Sequence, residues 1–162
     1  ITPLVPPGFL GDLLLRMPLV LAAHPQHPLH QLGRPLTLRD LRMHRQLVVR
    51  DTGSQRTARS AFLEARQRWT VSNMSSSIIA ARAGYGFAWY PQDKIRDELA
   101  AGTLRPLPLR EGGERAIDMY LVYADREAAG PGVRRLAELI RAGVAGDCAA
   151  HAASAPAVVP TR

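Results

Sequence analysis

The sequence predicts an α/β protein of two lobes, of which one is complete and the other lacks its beginning. Short strand-like runs alternate with helix-like runs between His24 and Leu109, a pattern typical of an α/β lobe with a mainly parallel sheet. After the polar segment 111–115, one more strand and helix follow, with no obvious lobe of their own. The segment before Leu19 is long enough for one strand and contains a proline-rich loop. We therefore expect the two chain ends to form one lobe together.

Each element is predicted from its apolar spacing and its boundary residues. Thr37 is a typical helix N-cap, and Pro91 suits the first turn of a helix. Gly84 and Gly102 can adopt the left-handed conformation that ends a helix. In chain order we predict strand 19–23, helix 38–44, strand 47–50, helix 55–66, strand 69–72, helix 75–83, strand 85–90, helix 92–101, strand 104–109, strand 117–124 and a last helix from 131 to about 144.

The composition favours a soluble globular domain. Of the 162 residues, 46% are hydrophobic and 22% are charged, which is ordinary for such a domain. No apolar run approaches the roughly 20 residues that a membrane span needs, so we expect no membrane partner. The single cysteine, Cys148, excludes an internal disulfide and fits a reducing compartment. The sequence therefore predicts a cytoplasmic protein.

The net charge of +7 is concentrated in one stretch. Nine arginines and three acidic residues lie between Arg39 and Arg82. Such a stretch can be the electrostatic footprint of a nucleic-acid site. However, the stretch has no aromatic residues interleaved for base stacking and no recognisable nucleic-acid motif. We therefore interpret these arginines as residues on solvent-exposed faces of helices.

Five segments in order resemble one family. They are the run 18–29 with its ending His27-Pro28-Leu29, the helix start 36–41, the glycine-bearing run 83–91, the turn and strand 102–107, and the closing pair 120–123 and 131–136. In order and approximate spacing, these segments are similar to the effector-binding domain of LysR-type transcription regulators. The resemblance covers most of the chain, from about Met17 to Ile140.

The resemblance implies a fold like that of type-II periplasmic binding proteins. Two α/β lobes would be joined by two crossover strands, here 19–23 and 117–123, with a small effector in the cleft between the lobes. Residues 1–23 and 118–146 would form an incomplete lobe I, residues 24–117 lobe II, and residues 147–162 a disordered tail. The family's helix-turn-helix is absent from this chain, so DNA would be bound only through that missing part. The resemblance also implies a homo-oligomer, either a dimer or a tetramer.

The strongest candidate for a ligand site is a polar run between a predicted strand and a predicted helix. Free N–H groups at a helix start, the positive end of the helix dipole and clustered hydroxyls suit a carboxylate or a phosphate. The alternative is ordinary capping of the helix by one of these residues. The candidate residues are Ser72, Asn73, Met74, Ser75 and Ser76.

Two further groups are candidates for contact with the effector. Arg50 and Thr52 also lie between a strand and a helix, where an arginine can pair with a carboxylate, although a surface turn is the alternative. The second group borders the crossover strands, with Thr2, Pro3 and His24 on one side and Tyr120 on the other.

The sequence favours neither a metal site nor a catalytic site. His24, His27 and His30 are separated by prolines that prevent a continuous helix face, and no acidic residue or cysteine lies near them. No Gly-x-Ser-x-Gly segment is present, and Gly84-Tyr85-Gly86 follows a helix instead of a strand. We therefore expect no cofactor and no enzymatic activity.

The sequence is thus interpreted as the part of a LysR-type regulator that senses a small organic acid. Binding of the effector would change the angle between the lobes and thereby transcription. The main alternative is a periplasmic solute-binding protein for a small organic anion, which has the same fold. An enzyme of two-lobed α/β type is a further alternative, for which no convergent acid–base pair is apparent.

Overall fold

The structure is a computed structural model that describes residues 1–50, 65–110, 113 and 115–154, with side chains described as far as residue 146. The chain divides into two compact units. Residues 18–116 form one of them, which we call the central unit. Residues 1–17 and 117–162 form the other, which we call the terminal unit.

The described elements follow the predicted alternation of strands and helices. In chain order they are β1 (Gly11–Ala23), a 3-10 helix (Pro28–Leu32), α1 (Leu38–Arg42), β2 (Arg45–Val49), β3 (Gln67–Val71), α2 (Met74–Arg82), β4 (Phe87–Pro91), a 3-10 helix (Gln92–Ile95), α3 (Arg96–Ala100), β5 (Arg105–Pro106), β6 (Arg115–Val122) and α4 (Pro131–Ser154). The predicted helix 55–66 lies almost entirely outside the described residues.

The sheet is mixed, and the expectation of a mainly parallel sheet is wrong. Its strand order is β3-β2-β4-β1-β5, with β6 pairing to β1. Strand β2 runs parallel to β3 and β4, as expected. Strand β1 runs antiparallel to β4 and β5. The partners of β1 are distant from it in the chain, so no local pattern in the sequence fixes its direction.

The central unit buries apolar side chains on both faces of its sheet. Successive strand residues point to opposite faces. Leu21 and Ala23 therefore join one cluster and Ala22 the other. The first cluster also contains Leu29, Leu36, Leu41, Phe87 and Leu107. The second also contains Leu47, Ala80, Ala81, Ala88, Tyr90, Ile95 and Leu104. This continuous burial explains why the run 19–23 is apolar throughout.

The predicted boundary residues act as expected in the central unit. The Thr37 hydroxyl accepts a hydrogen bond from the Asp40 N–H, and the Asp40 carboxylate accepts one from the Thr37 N–H, which forms a capping box. Arg34 also donates to Asp40, and this hydrogen bond is the main reason that the pKa of Asp40 lies well below its usual range. Gly84 and Gly102 have φ values of 80° and 67°, in the left-handed region.

Three predicted elements differ from the structure. The predicted helix 92–101 is a 3-10 turn followed by the short helix α3, and the predicted strand 104–109 is a two-residue β5 with an isolated bridge at Leu109. Helix α4 continues to Ser154, so residues 147–154 are helical and the predicted disordered tail is wrong for them. Alanine has the highest helix propensity, and the next proline after Pro131 is Pro156. An alanine-rich segment therefore continues a helix although it lacks an amphipathic pattern.

Candidate functional site

The polar run after β3 forms the N-terminus of α2. The Asn73 side chain accepts a hydrogen bond from the Ser76 N–H at 2.9 Å, so Asn73 is the N-cap. Its amide donates to the Ser72 Oγ at 3.2 Å. The N–H groups of Met74 and Ser75 have no hydrogen-bond partner in the described part of the chain. Capping therefore uses part of this cluster, and two N–H donors and the exposed Ser75 hydroxyl remain.

Arg50 lies beside the same strand end. Its backbone N–H donates to the Val71 carbonyl at 2.8 Å, which places Arg50 next to the residue that precedes Ser72. The Arg50 side chain is exposed. The carboxyl ends of the parallel strands β2 and β3 thus bring Arg50 and the serine cluster together. Thr52, the other predicted residue of this group, lies outside the described residues.

Thr2 and Tyr120 are brought together in the terminal unit. Their backbones form an isolated antiparallel bridge, with hydrogen bonds of 3.0 and 2.8 Å. The expectation that they border opposite sides of a site is therefore wrong, because they are direct neighbours. The Thr2 hydroxyl donates to the Leu4 carbonyl at 2.9 Å, and Pro3 is exposed. Tyr120 is half-buried.

His24 belongs to a separate groove in the central unit. The groove has a volume of about 380 Å³ and is lined by His24, Ile79, Arg82, Ala83 and Thr103. It lies at the C-terminal end of α2, whereas the serine cluster lies at the N-terminal end. A helix rises about 1.5 Å per residue, so the nine residues of α2 separate the two places by about 12 Å. The structure does not bring His24 to the serine cluster.

His27 is a structural residue of the central unit. His27 is 6% exposed, and its Nδ1 accepts a hydrogen bond from the Leu29 N–H at the start of a 3-10 helix. Its ring lies 5.3 Å from that of His44, measured between centroids. Burial is the main cause that lowers the pKa of His27 to about 4, with the neighbouring histidines contributing. His27 is therefore a neutral core residue at neutral pH.

An apolar groove lies in the terminal unit, between the end of β6 and α4. Its volume is about 410 Å³, and its lining includes Leu121, Val133, Leu136 and Ile140. Val133 and Leu136 are 50% and 57% exposed. Val133 and Leu136 are three residues apart and therefore lie on the same face of α4. The structure gives that face of α4 little cover within the described residues.

Two features of these sites were missed in the sequence. Arg82 and Thr103 come together with His24 from segments distant in the chain, so no local motif marks them. The Arg45 guanidinium lies over the ring of Trp69, which meets the Tyr85 ring edge to face. Trp69 belongs to the basic stretch, so the interpretation that this stretch has no interleaved aromatic residue is wrong. The signal that was available is the exposed aromatic residue Trp69, which directly follows Arg68 in a short strand.

A comparison with family models identifies one match over most of the chain. The family described as the LysR substrate binding domain matches residues 1–145. The Escherichia coli K12 protein called "Probable HTH-type transcriptional regulator YhaJ" is 33% identical over 105 residues, which are 64% of this chain and 35% of that protein. The match thus spans about a third of the length of these curated relatives.

Solved structures share the fold at lower sequence identity. The effector domain of AmpR from Pseudomonas aeruginosa has a TM-score of 0.61 at 20% identity, over 91% of this chain and 71% of that one. The regulatory domain of CcmR from Synechocystis, solved in complex with 2-PG, has a TM-score of 0.65 at 17% identity, over 86% and 70%. ArgP from Mycobacterium tuberculosis has a TM-score of 0.65 at 21% identity, over 86% and 48%. The fold is therefore that of these regulatory domains, which is of the type-II periplasmic-binding-protein kind.

Proposed function

Since this chain belongs to the LysR substrate-binding domain family, we propose that it senses a small organic acid within a LysR-type transcription regulator. The single observation that carries the ligand chemistry is the cluster at the carboxyl ends of β2 and β3. There the backbone N–H of Arg50, whose side chain is exposed, donates to the carbonyl of Val71, directly before Ser72, and two N–H donors and hydroxyl groups lie at the start of α2. Cationic and N–H donors at a helix N-terminus bind carboxylates and phosphates.

The proposed effector site keeps the contact residues that the sequence suggested. In the central unit its proposed contacts are Ser72, Asn73, Met74, Ser75, Ser76, Arg50 and Thr52. Thr2, Pro3 and Tyr120, which belong to the terminal unit, remain proposed contacts in their own right. His24 is the weakest of the proposed contacts because it lies at the other end of α2. A small-molecule complex of a protein with this fold, CcmR with 2-PG, supports the choice of a small ligand.

We further propose that the terminal unit is lobe I and the central unit is lobe II. The exposed apolar face of α4 and the groove beside it support the view that lobe I is incomplete in this chain. In the whole regulator, effector binding would favour one arrangement of the lobes, because only a difference in affinity can shift such an equilibrium. DNA binding through a helix-turn-helix, assembly as a dimer or tetramer and a location in the cytoplasm belong to this proposal.

The family match favours a regulator over the alternatives. The curated relatives are named as transcriptional regulators, which supports regulation over periplasmic solute capture and over catalysis. Among the described helices, none combines the length and hydrophobicity that crossing a membrane requires.

Thermal shift with organic acids tests the proposal. Acetate, succinate, citrate and benzoate are screened against the chain and against a Ser75→Ala/Ser76→Ala variant. A ligand at about 100 times its Kd stabilises by about 2.7 kcal/mol, which raises Tm by about 5–10 °C for a domain of this size. We expect at least one acid to raise Tm, and the double variant to lose that rise.

A matched control variant and the pattern of results distinguish a wrong binding site from a wrong class of effector. Thr103→Ala removes a hydroxyl from the His24 groove and should keep the rise in Tm. An equal rise in the wild type and the double variant would show that the effector binds elsewhere. No rise with any acid would contradict the proposed class of effector.

A further inference from the structure

We propose that the amino ends of β2 and β3 form a docking surface for an acidic segment of another protein. The surface consists of Arg42, Arg45, Arg66, Trp69 and Tyr85, which we call the arginine-aromatic patch. All five side chains are exposed, and all belong to the central unit. The proposal does not depend on the proposed effector.

The patch is continuous because backbone contacts join its segments. The Arg66 N–H donates to the Arg42 carbonyl at 3.0 Å. Arg45 begins β2, directly opposite the first residue of β3 in the parallel ladder. Tyr85 precedes β4, which pairs parallel to β2, and so lies at the same end of the sheet. Residues far apart in sequence therefore meet at one edge.

The centre of the patch is a preorganised cluster of two rings and a guanidinium. Trp69 and Tyr85 are 42% and 52% exposed, and their rings meet edge to face with centroids 5.3 Å apart. The Arg45 guanidinium lies 5.8 Å from the Trp69 ring centroid, and its Nη1 donates to the Tyr85 carbonyl at 3.4 Å. Trp, Tyr and Arg are the residues most enriched among energetically dominant interface positions. The cluster thus has the composition of a protein interface.

The charge of the patch selects an acidic partner. Arg42, Arg45 and Arg66 make no ion pair with any carboxylate in the described part of the chain. By contrast, the nearby Arg34 and Arg82 are paired with Asp40 and Glu98. The patch carries three arginines and no acidic residue, so the same patch on a second copy would repel it. Charge complementarity therefore indicates a different, negatively charged partner.

The geometry of the rings favours protein over nucleic acid. Bases bind aromatic platforms by stacking on a free ring face. In the patch, the Trp69 ring already meets the Tyr85 ring edge to face, and the Arg45 guanidinium lies over the Trp69 ring. These contacts compete with the stacking of a base on Trp69. A carboxylate, in contrast, binds to N–H donors, of which a guanidinium has five. In the part of the chain that the structure describes, the Arg45 guanidinium uses one of these N–H groups for a hydrogen bond.

The patch and the proposed effector site lie at opposite ends of the same strands. Arg50 and Ser72 follow the carboxyl ends of β2 and β3, whereas Arg45 and Arg66 mark the amino ends. Arg45 and Arg50 are five residues apart, and a rise of about 3.3 Å per residue places the two ends roughly 16 Å apart. A partner on the patch therefore leaves the effector site open.

Binding of a defined acidic peptide tests the patch. The probe is a fluorescein-labelled peptide of about 12 residues, made of Glu, Asp and Leu, followed by fluorescence anisotropy with the full chain. We expect Arg45→Gln and Trp69→Ala each to weaken binding by about tenfold or more, as for interface hot spots. Arg110→Gln is the matched control, because Arg110 is also exposed and also makes no ion pair within the described residues. It should change the Kd by less than about twofold.

Three outcomes would overturn the proposal. Equal weakening by Arg45→Gln and Arg110→Gln would mean that the peptide responds to overall charge. Tighter binding of a duplex or single-stranded DNA of the same charge would assign the surface to nucleic acid. A concentration-dependent dimer that Trp69→Ala abolishes would assign it to a second copy. Circular dichroism of each variant confirms that loss of binding is not loss of folding.

Discussion

Acid should destabilise the central unit through His27. Above pH 6.5 this side chain is neutral in both the folded and the unfolded chain. Burial lowers the pKa of His27 from 6.5 to about 4 in the folded state. The unfolded state therefore binds the proton first as the pH falls, and folding loses stability between pH 6.5 and about 4.

The magnitude follows from the size of this pKa difference. Each unit corresponds to 1.36 kcal/mol, so the loss approaches about 3 kcal/mol at pH 4. His27 is 6% exposed, so solvent screens little of this effect. Protonation of Nδ1 would also remove the acceptor of the Leu29 N–H. The groups that lower the pKa further are His44, His30 and His24.

The assay is urea unfolding between pH 4 and 8, followed by tryptophan fluorescence. Both tryptophans, Trp69 and Trp89, lie in the central unit, so the signal reports on that unit. His27→Asn keeps a side-chain acceptor for a helix cap but cannot titrate. We expect this variant to lose about 3 kcal/mol of the pH dependence over that range.

His24→Asn is the matched control. The Nδ1 of His24 also accepts an N–H from two residues further along the chain, but the side chain is only half-buried. The control should keep most of the acid sensitivity of the wild type, because His24 makes the smallest of the contributions that lower the pKa of His27. If His27→Asn unfolds with the same pH dependence as the wild type, burial of His27 is not the cause and the reasoning fails.

Two further substitutions test the packing of the central unit. Tyr90→Phe removes a buried hydroxyl that lies 2.9 Å from both the Ser77 Oγ and the Ser77 carbonyl, and we expect a loss of about 1–3 kcal/mol in the free energy of unfolding measured in urea. A loss below about 0.5 kcal/mol would contradict that role. Gly86→Ala places a Cβ 2.5 Å from the Arg45 carbonyl oxygen, so we expect a lower Tm together with weaker binding of the acidic peptide. An unchanged Tm would mean that β2 and β4 separate at low cost.

The sequence determined the class of fold and several local structures. Thr37, Gly84 and Gly102 end or begin helices as predicted, because capping and positive φ depend on one residue and its neighbours. The alternation of strands and helices is likewise visible in the spacing of apolar residues. The position of the serine cluster at a helix start was predicted for the same local reason.

The tertiary structure alone decided which segments are neighbours. Strand β1 is antiparallel to β4 because of contacts between residues about 70 positions apart. Arg50 reaches the serine cluster, Thr2 reaches Tyr120, and Arg45 reaches Trp69 and Tyr85, each through pairings that no local pattern encodes. Periodicity reports whether a residue is buried, but not which partner buries it. Local preference and burial can therefore be read along the chain, whereas the sites exist only once the strands have paired.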